Sequence, residues 1–155
     1  MDSISASTAT RPPHRPARQR ILEAATRLFY AEGIRAVGVD RIVAEAGVTK
    51  ATFYHSFHSK DELVRAYLED EHRAHRDKFE AEIARHSDPL EAILALFDRI
   101  GDGIFEPGFR GCSFLNTATE YPDPSQPVAA VIAIQRTWLH DRFASLLMAA
   151  GNPQP

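Results

Sequence analysis

Apolar residues recur at helical spacing almost from end to end, and the breaks between the runs are punctuated by capping residues, glycines and prolines. Ile21, Leu22, Ala25, Leu28 and Phe29 form one stripe over about Ala17–Glu32, with Gly33 as its stop. Val39, Ile42, Val43 and Ala46 give a short second helix, closed by Gly47, where a left-handed C′ conformation costs glycine nothing. Val48 fills the angle, Thr49 is placed to N-cap a third helix from Lys50 to about Ser56, and that helix is expected to bury Ala51, Phe53 and Phe57. Ser59 followed by Glu62 reads as a capping box opening a long fourth helix to about Arg85, roughly 40 Å at the helical rise. Ser87-Asp88-Pro89 starts a fifth helix, with Leu90, Ile93, Leu94, Phe97 and Ile100, expected to end at Gly101. After the loop GDGIFEPGFRG come a short sixth helix, about Ser113–Glu120, and a seventh from about Pro127 to Ala150. No segment alternates as a strand would, and no internal repeat is visible. The fold class is all-α.

The region from Gly33 to Leu63 carries the most specific information. Two short helices crossing over a glycine turn describe the motif whose second helix enters the DNA major groove. The outward side of the third helix shows Lys50, Thr52, Tyr54 and His55, which are cationic or hydroxyl-bearing. Any helical bundle can contain such a corner, but a structural corner would carry mixed charge. Lys50 is expected to approach base edges. Thr49, Thr52, Tyr54, His55 and Lys60 are expected to hold phosphates, with Arg18, Arg20 and Arg41 adding charge at the backbone or minor groove.

At these residues the chain resembles the tetracycline-repressor (TetR) family of bacterial transcriptional regulators. The family pattern, roughly I-A-x-x-A-G-V-S-x-x-T-x-Y-x-x-F then S-K-x-x-L, stands here as IVAEAGVTKATFYHSF from Ile42 to Phe57 and SKDEL from Ser59 to Leu63. The resemblance covers about residues 18–68. Val43 replaces the more usual Ala, and Gly38 stands where a Thr usually caps the second helix. The resemblance implies an N-terminal three-helix DNA-binding head and a helical body for effector binding and dimerisation. It implies repression of a palindromic operator in duplex DNA, released by a small apolar or aromatic effector. The run RGCSFLNTATEYPDP, from Arg110 to Pro124, is similar to a G-C-x-x-x-N-A-x-x-E-x-x-D-P segment of one subgroup's body. Phe97, Ile100, Phe105, Phe109, Cys112, Phe114, Leu115, Trp138 and Phe143 are the expected pocket walls, with Asn116 and Glu120 as polar anchors. Aromatics at this spacing also serve as plain core, and Cys112 reads best as a buried small hydrophobe rather than a redox sensor.

Composition narrows the class further. Residues 1–60 hold nine lysines and arginines against five acids, and the remainder nine against sixteen, so a basic N-terminal third sits on an acidic body. The start, MDSISASTATRPPHRP, has no apolar core and reads as a disordered basic arm over residues 1–16. The head is then expected over 17–62 and the body over 63–155. No apolar run approaches the roughly 18–20 residues of a membrane span, and a single Cys allows no internal disulfide, so a cytoplasmic location is expected. No phosphate loop, nucleophile elbow or zinc-spaced set supports an enzyme, and no cofactor or metal is implied. Glu71-His72 with His75 is the nearest metal-like group, and in its charged run it reads as a solvated ion-paired face. Family members usually continue with two further helices that pair with a second subunit, and this chain stops at Pro155. The body is therefore expected to be incomplete. The alternative to a homodimeric repressor is a truncated relative that dimerises weakly, or with a full-length partner, without binding an operator alone. An exposed apolar stripe is expected on the seventh helix.

Overall fold

The computed structural model describes residues 15–152. Among them are seven α-helices and no strand: α1 Ala17–Glu32, α2 Val39–Ala46, α3 Lys50–Ser56, α4 Lys60–Ile83, α5 Pro89–Ile104, α6 Ser113–Glu120 and α7 Pro127–Ala149. The expected arm lies, as far as His14, outside the described residues. None of the described helices is long and apolar enough to cross a membrane.

Local chemistry accounts for most boundaries. Gly33 leaves α1 at φ 90°, and Gly47 leaves α2 in the left-handed region at φ 62°, ψ 43°. Thr49 Oγ1 accepts from Thr52 N–H at 3.1 Å, and Ser59 Oγ from Glu62 N–H at 3.1 Å. The Asp88 carboxylate accepts from Leu90 and Glu91, with Pro89 in the first turn, where its missing N–H is no loss. Gly38 precedes α2 with no side-chain cap. The expected capping box closes differently: the Glu62 carboxylate accepts from His58 N–H at 3.0 Å, one residue before the Ser59 cap. Gly101 does not end α5, which runs on through Gly103 to Ile104. A glycine inside a helix costs only about 1 kcal/mol, which the flanking turns outweigh here. The chain breaks instead at Pro107-Gly108, where Gly108 takes φ 85°.

The core is continuous between the two halves of the molecule. Ile21, Ala25 and Phe29 of α1 meet Ile42, Phe53 and Phe57, and the first turns of α4 enter the same cluster through Leu63, Val64, Tyr67 and Leu68. Phe114 of α6 and Val128, Val131 and Ile132 of α7 join it from the other side. Ala51, expected inside, is exposed, because the seven-residue α3 turns only Phe53 inward, with Phe57 just beyond its end. Further along, α4 is held to α7 by a bidentate pair, Arg142 Nε and Nη2 on the Glu80 carboxylate at 2.7 and 2.8 Å. That guanidinium holds the Glu80 carboxyl below the usual range. Between them lies an aromatic ladder: Phe79 packs edge-on to Trp138 at 5.2 Å and to Phe143 at 5.3 Å.

The apolar surface is distributed unlike the expectation. On α7, Ile134 and Met148 are exposed, while Val128, Val131, Ile132 and Leu146 are buried. The larger stripe belongs to α5, where Leu90, Leu94, Phe97, Ile100 and Ile104 are all exposed on one side. Only Ala92 and Leu96 of that helix face fully inward, because α5 packs through a single side against α4 and α7.

Candidate nucleic-acid interface and joint cavity

The left-handed Gly47 allows Val48 N–H to reach back to Val43 O at 3.1 Å, which sets the angle between α2 and α3. Arg20 of α1 clamps the same turn from outside, donating from Nη1 to Gly47 O at 3.2 Å. A Cβ at position 47 would stand 3.7 Å from that nitrogen, so space is not the obstacle there; the backbone conformation is.

The nine residues expected at DNA separate into two groups. Lys50, Tyr54 and His55 lie exposed on α3, beside the cap made by Thr49 and Thr52. Lys50 pairs with Asp40 at 2.7 Å, and this hydrogen bond raises its pKa. Tyr54 stands edge-on to buried Phe53 at 5.2 Å, so its ring is oriented while its hydroxyl is outside. The Thr49 and Thr52 hydroxyls are 2.9 Å apart and bonded to each other. The other four are engaged within the protein. Arg18 stacks its guanidinium over Phe57 at 4.6 Å, Arg20 holds the turn, and Arg41 lies 3.6 Å from Glu32. Lys60 turns inward and donates from Nζ to Ile34 O at 2.6 Å, and burial pushes its pKa down.

Ile34 belongs to the connection that leads from α1 to α2, and its other contacts come from the body. Glu120, at the end of α6, accepts from Ile34 N–H at 2.9 Å and from Arg35 N–H at 2.6 Å. The next residue, Tyr121, donates to Asp61 Oδ1 at 3.0 Å, and burial together with that bond pushes its hydroxyl up to about 12. Tyr30 closes a third link: its hydroxyl accepts from Arg110 N–H at 3.0 Å and donates to Gly111 O at 3.1 Å. Three side chains thus tie the α6 segment and the loop before it to the end of α1, the connection to α2 and the start of α4.

Beside this joint opens a cavity of about 470 Å³, walled by Phe29 to Ile34 on one side and by α6 on the other. Of the expected effector residues, Phe109, Asn116 and Glu120 line it. Of the other expected walls, Phe97 meets Phe143 at 5.7 Å between ring centroids, and Phe79 joins Phe143 to Trp138, while the rest are spread apart. Phe97, Ile100, Phe105 and Leu115 are exposed; Phe114 is buried against His75; Trp138 lies between His72 and Phe79. Cys112, expected to be buried, is exposed at the start of α6. The cavity is lined mainly by polar groups rather than by the aromatic cluster. The Glu71, His72 and His75 group also departs from the solvated face expected of it. Glu71 accepts from Ser113 Oγ at 3.3 Å, the His72 ring hydrogen-bonds Gln135, and burial lowers the His75 pKa. These side chains join α4 to α6 and α7.

A helix-turn-helix head joined by a polar latch to a helical body defines a class of DNA-associated regulators, and the comparisons agree. The profile of bacterial regulatory proteins of the tetR family matches residues 21–67. A TetR-family transcriptional regulator from Streptomyces coelicolor superposes with a TM-score of 0.82 at 47% identity, over 85% of this chain and 70% of that one. A second such structure, from Streptomyces avermitilis, gives 0.76 at 33% identity, over 86% and 73%. The chain belongs to the TetR family. Among curated relatives, the HTH-type transcriptional regulator YxaF of Bacillus subtilis is 35% identical over 77 residues, which are 49% of this chain and 40% of that protein. TtgR of Pseudomonas putida is 41% identical over 58 residues, 37% of this chain and 28% of that protein. The matched part is thus less than half the length of these curated relatives.

Proposed function

We propose that the protein is a DNA-binding transcriptional regulator that represses from a palindromic operator and is released by a small-molecule effector. The observation that carries this is the outward face of α3, where Lys50, Tyr54 and His55 stand exposed on a helix set by the Gly47 turn. The short helix reads the major groove, Lys50 leaves Asp40 for a base edge, and Tyr54 with the start of α3 holds the backbone. Arg20 and Lys60 support the head rather than the DNA. With about four to six phosphates neutralised per head, log K falls against log salt with a slope near −4 to −5. Titration of a promoter-derived duplex tests it. Salt-independent binding, or unchanged affinity in the Lys50→Ala, Tyr54→Ala double variant, overturns the reading.

A palindrome requires two heads about 34–36 Å apart and therefore a dimer. The exposed stripe of α5 favours a second reading, a protein that acts through association with a partner chain: five large apolar side chains on one helix face are an interaction surface or an aggregation liability. Sedimentation at micromolar concentration separates the two. A dimer in that range supports the repressor reading, and a monomer supports association of the α5 face with another chain.

A further inference from the structure

We infer that the cavity at the joint is a binding site for a small aromatic monocarboxylate, with Arg110 as its counter-ion. The inference rests on the regulator reading only for its consequence at DNA, not for the binding itself.

Size and floor come first. About 470 Å³ accommodates a one- or two-ring molecule within the usual range of ligand sites. Its floor is the edge-to-face pair Phe29–Tyr67, 5.7 Å between centroids, both buried. Phe109 stands at the rim, half exposed, so a ring entering the cavity covers an aromatic surface that now faces water.

The charges decide the sign of the ligand. Two carboxylates line the cavity, and both are engaged: Glu32 with Arg41, Glu120 with the Ile34 and Arg35 N–H groups. The Arg110 guanidinium has no hydrogen bond or ion pair among the described residues, although its backbone is held at both ends. Its N–H donates to Tyr30, and its carbonyl accepts from Asn116 Nδ2 at 2.8 Å. Arg110 lines the cavity from a held backbone, and its guanidinium fork suits a carboxylate on a ring through paired N–H donors. Arg110 is the one cation among the residues that line the cavity, so it matches a single carboxylate and leaves a second without a counter-ion.

The position of the site couples it to the head. One wall is the end of α1 and the connection to α2; the other is α6, whose Glu120 latches that connection. A ligand touching both walls binds one spacing of them better than others, and shifts the head accordingly.

The probe is 2-naphthoate, with 2-naphthamide as its uncharged counterpart, titrated into the full chain by calorimetry. The expected result is saturable one-to-one binding of naphthoate, about tenfold or more tighter than the amide, as a charge-assisted hydrogen bond gives. Arg110→Gln, on an exposed side chain, removes the difference between the two compounds. Thr119→Trp, on the exposed side of the lining helix, fills the space and abolishes both. No saturable naphthoate binding up to millimolar concentration, or a naphthoate affinity in Arg110→Gln equal to that of the parent, overturns the site. Duplex titration without naphthoate tests the regulator reading separately. If duplex binds and saturating naphthoate leaves its affinity unchanged, the coupling is overturned.

Discussion

Phe53→Ala is expected to remove about 3–5 kcal/mol of stability and, with it, the outward face of α3. Phe53 has no exposed surface and contacts Phe57 at 6.3 Å between ring centroids. The seven residues of α3 are too few to hold a helix by propensity, so its existence depends on what it buries. That burial is Phe53 within the helix and Phe57 just after it. Loss of the Phe53 ring leaves a cavity that a short helix between two rigid neighbours cannot close. For a chain of this size the midpoint of thermal unfolding falls by roughly 6–20 °C. The control is Ala51→Ser on the exposed side of the same helix, which stays within about 0.5 kcal/mol of the parent. Equal midpoints for Phe53→Ala and the parent would show that α3 is held by something other than its aromatic core.

Glu120→Ala has the second largest expected effect, about 1–3 kcal/mol for two backbone donors left without their carboxylate. Its clearest signature is local. The amides of Ile34 and Arg35 are held at 2.9 and 2.6 Å by that side chain, so their hydrogen exchange accelerates while amides in the middle of α7 keep their protection. Glu120→Gln retains one acceptor oxygen and restores part of the protection. Unchanged exchange at both amides would sink the latch. An intermediate result in Glu120→Gln alone, with full loss in Glu120→Ala, assigns the effect to the carboxylate rather than to the packing of the side-chain stem.

What the sequence reveals here follows the range of the interaction. The Gly47 turn and the Thr49, Ser59 and Asp88 caps each act over two or three residues, and each is legible from residue types in order. The end of α5 is also local, but it depends on competition. Gly101 and Gly103 are weak breakers inside a helix, and Pro107-Gly108 is the stronger one. The joint is different in kind. Glu120 stands out as a polar residue near a helix end, but its partners lie 85 and 86 positions upstream and are backbone groups of no particular residue type. No pattern along the chain encodes that. The placement of Phe97, Ile100, Phe105 and Trp138 was not legible for a related reason: hydrophobicity marks a face of a helix but not what covers it. On α5 that face stands open, and Trp138 is already occupied by Phe79 and His72. Arg20 was legible as a cation near the head, while its service to Gly47 O depends on the crossing of α1 over the turn.

The aromatic residues also divide the molecule into two optical regions. The single tryptophan, Trp138, sits in the α4–α7 ladder. Three of the four tyrosines, Tyr30, Tyr67 and Tyr121, cluster where the body meets the head, and the fourth, Tyr54, is on α3. Light absorbed at the red edge by the indole therefore reports on the body alone, and tyrosine absorbance reports on the joint and the head. An unfolding transition recorded at both wavelengths distinguishes a head that loosens first from a chain that melts as one, without any label being added.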